Sequence, residues 1–357
     1  MRPLNLFVLC SALGLVACSP SDPRQSASAS LANDVLLPAY QAWASASTQL
    51  PVSAQALCAT PKPADSALPQ ARQDLQTAQR SWAALQPLQL GPLSEGNRAW
   101  QVQFWPDKKN LVRRQVESLI DQHPVLSRAQ LERASVVVQG LSAYEYLLFD
   151  SQLDLARPAD RQRYCALLGH IAGHQQQLSA QILAELQGEQ GFLKQLQQFP
   201  NTRFAEADEA LAELLRAQVN GLDLLKKKLG TAIGKLSKGI PQPLQAEFWR
   251  SQASLDSLAA AVHSAEQLWQ GQADQGIASL LDDTQQPLRQ RIDQAYADTR
   301  QQLAALQQPL DKLLSNDAGR AQLDALYVSL DRLHRLQERD LAGALGIQLG
   351  FNAHDGD

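Results

Sequence analysis

Glu145 is a carboxylate set among apolar residues, in the stretch 136–150 that reads VVVQGLSAYEYLLFD. At about 100° per residue, Val138, Leu141, Ser142, Glu145, Leu148 and Phe149 share one side of a helix. Val137, Tyr144, Tyr146 and Leu147 make the other side apolar too, the pattern of a helix buried in a larger bundle. A carboxylate is therefore expected in the core, where it must be neutralised, hydrogen-bonded, paired with a cation or bound to a metal. Ser142, one turn earlier on the same side, is the first candidate to share that site.

Other groups could join it. Residues 97–110, NRAWQVQFWPDKKN, bring Arg98, Trp105 and Asp107 close together in sequence. Either Arg98 or a lysine here is the cationic partner of Glu145, or Trp100, Phe104 and Trp105 pack a loop with Lys108 and Lys109 in solvent. Pro106 favours a turn, and Asp107 is placed to cap the next helix. His170 and His174 stand i, i+4, which suits a metal pair; the plainer alternative is a boundary His174 beside an exposed His170. The terminal GFNAHDGD offers Asp355 and Asp357 as oxygen ligands for a hard cation, or is a solvated acidic tail. Lys226, Lys227, Lys228, Lys235 and Lys238 surround a Gly-rich loop and read as solvated surface, with attraction of an anionic chelate or a membrane headgroup as the alternative that composition alone does not imply. The chain contains no Gly-x-Ser-x-Gly elbow, His-Glu-x-x-His stretch or phosphate-binding loop.

The elements that must position these groups are helices. Apolar spacing predicts them over 31–50, 66–85, 108–122, 127–149 and 160–186, with a short aromatic piece at 97–105. Beyond a boundary at 188–200 they continue over 204–229, 244–270, 284–314 and 317–341. Alternation of valine, isoleucine and threonine is missing, so no sheet is expected. The fold class is all-α, with two four-helix-bundle-like halves, 31–200 and 201–357. Their similar length and content point to duplication and a pseudo-symmetric pair, with 248–269 as counterpart of the central helix and Ser251 corresponding to Ser142. The abundant glutamine reads as solvated helix face.

Residues 1–17 have the parts of a leader: Arg2, an apolar run over 4–16, then Leu15-Val16-Ala17 before Cys18. The run is too short to span a bilayer, and Leu-Val-Ala-Cys matches the bacterial lipobox. Cys18 is expected to carry the lipid, Ser19 after it suits sorting to the outer membrane, and 18–30 is a Ser/Pro/Ala tether. A formal net charge of -4 argues against a nucleic-acid partner, which calls for a basic stripe. Cys58 and Cys165 are left for an oxidising compartment and are expected to form a disulfide rather than remain buried thiols.

The segments GLSAYEYLLF, FWPDKKN, WRSQAS and GFNAHDGD together resemble the imelysin-like proteins, over most of the mature chain. The resemblance implies two related helical bundles, a place in the bacterial envelope, a role in iron acquisition with iron or another divalent metal as ligand, and a filing among metallopeptidases of the M75 type. The family motif is Gly-x-His-x-x-Glu, whereas this chain reads Gly140, Leu141, Ser142, Ala143, Tyr144, Glu145. Serine is a poor metal ligand in place of the histidine at neutral pH. The expectation is thus a lipid-anchored, non-catalytic periplasmic binding protein, working with iron-uptake proteins on a different or already chelated ligand. Its site would lie near Glu145 and Ser142, between the bundles or at their rim, with Arg98, Trp105, Asp107, Arg250, Ser251 and Asp355 as candidates. One rival is a metallopeptidase with Glu145 as ligand or base, which requires three ligands and an open position. Another is an envelope interaction module in which Glu145 only pairs with an arginine.

Overall fold

The computed structural model describes residues 22–59 and 62–349, and no strand occurs among them. Cys18, Asp355 and Asp357 lie outside the described residues. The chain is all-α, as its apolar spacing predicts.

Helix α1 (Pro23–Ser30) starts at Asp22, whose carboxylate accepts the Arg24 N–H at 2.9 Å. It runs through a π-helical turn (Leu31–Leu36) into α2 (Leu37–Leu57). The expected tether is therefore helical from Pro23 onward. Its small residues are what fit there: Ala27 and Ser28 are buried, and the Ser28 hydroxyl donates to the Leu196 carbonyl at 2.7 Å. At the other end α2 continues through Pro51, past the predicted end at residue 50, because Ala54 and Leu57 remain buried in the core. Tertiary packing here outweighs the hydrogen bond that proline removes.

Helix α3 (Ala67–Ala84) packs on α2, and α4 (Arg98–Val102) and α5 (Leu111–Gln122) follow. The single helix predicted over 127–149 is broken into α6 (Arg128–Arg133), a 3-10 turn (Val136–Val138) and α7 (Leu141–Phe149). The Gln139 amide donates to the carbonyls of Leu131, Glu132 and Ala134 at 3.0, 3.2 and 2.9 Å, which closes α6. Gly140 then lets α7 begin against α4, since a Cβ there would stand 2.5 Å from the Val102 carbonyl oxygen. Helix α8 (Pro158–Gln187) packs along α2, and the expected Cys58–Cys165 disulfide ties the end of α2 to it. The boundary region holds α9 (Phe192–Gln197), on which α1 rests.

The second half comprises α10 (Ala207–Ala232), α11 (Ser254–Gln270), α12 (Gln286–Ala305), α13 (Leu310–Leu314), α14 (Asp317–Arg335), a π-helical turn (Leu336–Leu341) and α15 (Ala342–Ala344). The helix predicted over 244–270 begins only at Ser254, so the proposed counterpart of the central helix is non-helical where it carries Ser251. The one predicted over 284–314 is split before Pro309. Helix α3 packs along α11, α1 against α10, and the 3-10 turn Gln86–Leu88 against α10 at Gly221, where a Cβ would meet Pro87 Cα at 2.5 Å. One hydrophobic core runs through both halves. No described helix is long and apolar enough to cross a membrane.

Candidate functional site at the junction of the halves

Glu145 projects from α7 into the contact with the segment before α11, and it is 2% exposed. Its Oε1 accepts two hydrogen bonds from Ser251, from the backbone N–H at 2.9 Å and from the hydroxyl at 2.6 Å. The Ser251 hydroxyl is shared with the Gln79 amide of α3 at 3.1 Å. Burial pushes the Glu145 pKa up, against the opposing pull of the Ser251 hydrogen bonds, the Arg250 charge and Gln79. Ser251 can face Glu145 because its segment is a tight turn: Phe248 and Gln252 are left-handed, at φ 50° and 59°, and the Ala253 N–H bonds back to the Phe248 carbonyl at 3.2 Å.

Arg250, next in sequence, is the cation of the site, and its side chain is 2% exposed. Its Nε lies 3.2 Å from Asp150 Oδ2, its Nη1 3.5 Å from Asp107 Oδ2 and its Nη2 2.5 Å from Asn110 Oδ1. The Trp249 and Tyr146 rings flank it at 4.3 and 5.4 Å. Two carboxylates, an amide and two aromatic faces thus satisfy one buried guanidinium. The other Asp107 oxygen accepts the Val112 N–H at 3.0 Å in the first turn of α5, whose N-cap is Asn110 and not Asp107 as expected. The segment that carries Asp107 is pinned twice more. Ser142 Oγ donates to the Phe104 carbonyl at 2.9 Å, and Trp105 Nε1 to the Gln245 carbonyl at 2.9 Å.

A second buried cluster adjoins the first. Lys228 Nζ lies 2.5 Å from Glu247 Oε1, which also accepts from Gln86 Nε2 at 2.7 Å. Gln103 Oε1 accepts from Trp82 Nε1 at 2.7 Å and faces Lys228 at 3.4 Å, and the ammonium sits 5.4 Å above the Trp105 ring. Burial drives the Lys228 pKa down, against the pull of Glu247.

The structure thus joins Glu145 with Ser251, and Asp107 with Arg250, and ties Ser142 of α7 to the segment that carries Trp105 and Asp107. It does not bring Arg98 there: that guanidinium pairs with Glu185 and donates to the Pro92 carbonyl at 2.9 Å. The cation beside Glu145 is Arg250, contributed by the other half. His170 bonds the Leu126 carbonyl at 2.9 Å, while His174 borders a separate shallow groove with Glu132. Burial lowers the His174 pKa, with Glu132 opposing. Neither histidine approaches Glu145 within hydrogen-bonding distance. Sequence reasoning missed Gln79, Gln86, Gln103, Asn110, Asp150 and Glu247, and read Lys228 as solvated. Glu247 carried the signal that betrayed Glu145, a carboxylate in an apolar run (Ala246, Glu247, Phe248, Trp249). The glutamines carried none, and seven that were expected on solvated faces (Gln79, Gln86, Gln103, Gln139, Gln175, Gln218 and Gln337) are buried.

Among the described residues, no group of three or more His, Cys, Asp or Glu is arranged to hold a metal ion. What lies open beside the junction is a cleft of about 300 Å³, lined by Asp150, Ser151, Leu244, Trp249, Gln252 and Asp311 among others.

The Imelysin (Peptidase_M75) family matches residues 36–337. An imelysin-like protein from Psychrobacter arcticum 273-4 has a similar fold, with a TM-score of 0.73 at 23% identity, covering 94% of this chain and 100% of that one. So has a protein described as an iron-regulated protein A precursor from Parabacteroides distasonis ATCC 8503, with a TM-score of 0.67 at 15% identity, covering 90% and 97%. No protein of curated function matches the chain. With the family match spanning α2 to the last π-helical turn, and the Gly140-to-Glu145 motif helix at the centre of the junction, the chain belongs to the imelysin family.

Proposed function

We propose that this chain is a lipid-anchored, non-catalytic binding protein of the bacterial envelope that acts in iron handling on a chelated ligand, not a bare ion. The observation that carries the proposal is how the motif pair is used. Glu145 Oε1 is occupied by both donors of Ser251, and Ser142 by the Phe104 carbonyl. A metal held by the protein needs several free donors converging on one point, with an open position if it is to be catalytic. The residues present do not fit one, and the motif serves instead as an internal junction that sets the shape of the adjacent cleft. Trp249, Arg250, Asp150 and Gln252 give that cleft an aromatic face and polar groups of both signs, suited to the organic part of a chelate. The iron connection rests on family membership and on the likeness to the iron-regulated protein A precursor of Parabacteroides. Attachment through Cys18 and a periplasmic, outer-membrane location rest on the leader.

Calorimetry on the chain from Ser19, with ferrous, zinc and cupric ions and with ferric citrate, tests this beside the Glu145→Gln and Trp249→Ala variants. Ferric citrate is expected to bind, and to bind more weakly to Trp249→Ala, while the bare ions give no stoichiometric binding. Stoichiometric ferrous or zinc binding that disappears in Glu145→Gln would overturn the proposal and restore a metal site on the motif. Metal-dependent cleavage of a casein substrate would restore the peptidase.

A further inference from the structure

We propose that the loop over residues 233–244 is a membrane-contact element, which seats an aliphatic tip in the headgroup region of an anionic phospholipid bilayer. It needs neither a ligand in the cleft nor the lipid on Cys18, although Leu244, at the end of the loop, also lines the cleft. Leu236, Ile240 and Leu244 are 62%, 62% and 60% exposed. Large apolar side chains are this exposed at only a few other places among the described residues, so their grouping in one loop is not the ordinary scatter of surface leucines.

The loop holds these side chains out by its own hydrogen bonds. Lys235 N–H bonds the Gly230 carbonyl at 2.8 Å, Gly239 N–H the Gly234 carbonyl at 3.0 Å, and Gln242 N–H the Ala232 carbonyl at 2.8 Å. The Ser237 hydroxyl closes the tip on the Ile240 carbonyl at 2.6 Å. Gly234, at φ +92°, permits the closure, because a Cβ there would stand 2.7 Å from the Ile240 carbonyl carbon. An apolar loop free to collapse onto the core would hide its leucines; this one is braced against doing so.

Its chemistry favours lipid over protein. Protein interfaces are anchored by tryptophan, tyrosine and arginine and are poor in lysine, whereas this tip offers leucine and isoleucine beside Lys235 and Lys238, the pairing found in interfacial membrane segments. Lys238 has no carboxylate within 4.0 Å among the described residues, while Lys235 reaches Asp324 at 3.0 Å. The Trp105–Gln245 hydrogen bond of 2.9 Å joins the end of the loop to the segment that leads into exposed Lys108 and Lys109, and no carboxylate pairs with either among the described residues. These cations complement anionic headgroups although the whole chain carries a formal charge of -4.

The described elements all lie within residues 22–349, so the chain from Ser19 retains the whole core and lacks the leader and lipid. Co-sedimentation of that chain with vesicles of phosphatidylethanolamine and phosphatidylglycerol, and with vesicles of phosphatidylcholine alone, tests the proposal. Binding is expected to the anionic vesicles and to weaken as salt rises. The Leu236→Ser/Ile240→Ser double variant is expected to bind about tenfold more weakly, with an unchanged melting temperature because both positions are exposed. Lys238→Glu is expected to reduce binding chiefly at low salt. Absence of binding by the parent chain, or equal binding by the double variant, would overturn the proposal. So would self-association of the parent chain that the double variant abolishes, which would assign the tip to a second copy.

Discussion

Burial makes ionisation of Glu145 costly where it stands. Burial is the largest influence on it and raises its pKa, so the folded chain holds that proton more tightly than the unfolded chain does. Stability contributed by this group is therefore present at low pH and falls as pH climbs from the unfolded carboxyl value toward the raised folded one. The Glu145→Gln change keeps an acceptor for both Ser251 donors and removes the charge. Thermal unfolding is expected to show it at least as stable as the parent at about pH 8, with a flatter decline between about pH 5 and that value. By contrast, Glu145→Ala strands the Ser251 donors in a dry site and is expected to cost about 2–4 kcal/mol in urea unfolding. If the glutamine variant were as weak as the alanine one, the charge and not the acceptor would hold the junction. Glu145 was legible because a charge in an apolar run is an anomaly that sequence displays. Its partners were not, since choosing between Arg98 and Arg250 needs a distance, and a neutral amide such as Gln79 gives no sign of burial.

Long straight helices declare themselves by their period, and α3 and α8 lie within a few residues of where the spacing puts them. Stops are harder, and the site is built from stops. The stretch 127–149 breaks where Gly140 allows α7 to meet α4, and 246–253 leaves the helical path through left-handed Phe248 and Gln252, neither of which is a glycine that would advertise it. The Gly140→Ala change is expected to push the first turn of α7 off the Val102 carbonyl and to strain the Ser142–Phe104 bond. A loss of about 2–3 kcal/mol in urea unfolding is expected. Gly173→Ala in α8, where a Cβ meets nothing within 4 Å, serves as the control and is expected to gain about 0.5–1 kcal/mol from helix propensity. Equal effects at the two sites would show that the close approach at Gly140 carries no constraint.

The packing crosses the division expected near residue 200. The core runs through both halves, α3 lies along α11, and the Lys228–Glu247 pair is satisfied by Gln86 and Gln103 from the opposite side. Opening that contact would expose apolar surface and leave a buried charge with part of its shell. Differential calorimetry is accordingly expected to give one cooperative transition; two resolved peaks would show that each half is stable alone. The amphipathic stripes foretold the helices of each half, but which stripes meet across the middle is a nonlocal choice that period and composition leave open.

The Cys58–Cys165 bond, across a sequence separation of 107, closes a covalent ring that contains Asp107, Ser142, Glu145 and Asp150, while Arg250 and Ser251 lie outside it. The ring already holds both carboxylates that will neutralise Arg250. In a chain delivered amino terminus first, both cysteines arrive before the segment that completes the junction. Oxidation can thus fix one wall of the site as a closed macrocycle to which the other wall is later added without covalent help. A reducing agent acts on the first wall alone, while the second wall is held only by the packing and hydrogen bonds of the junction.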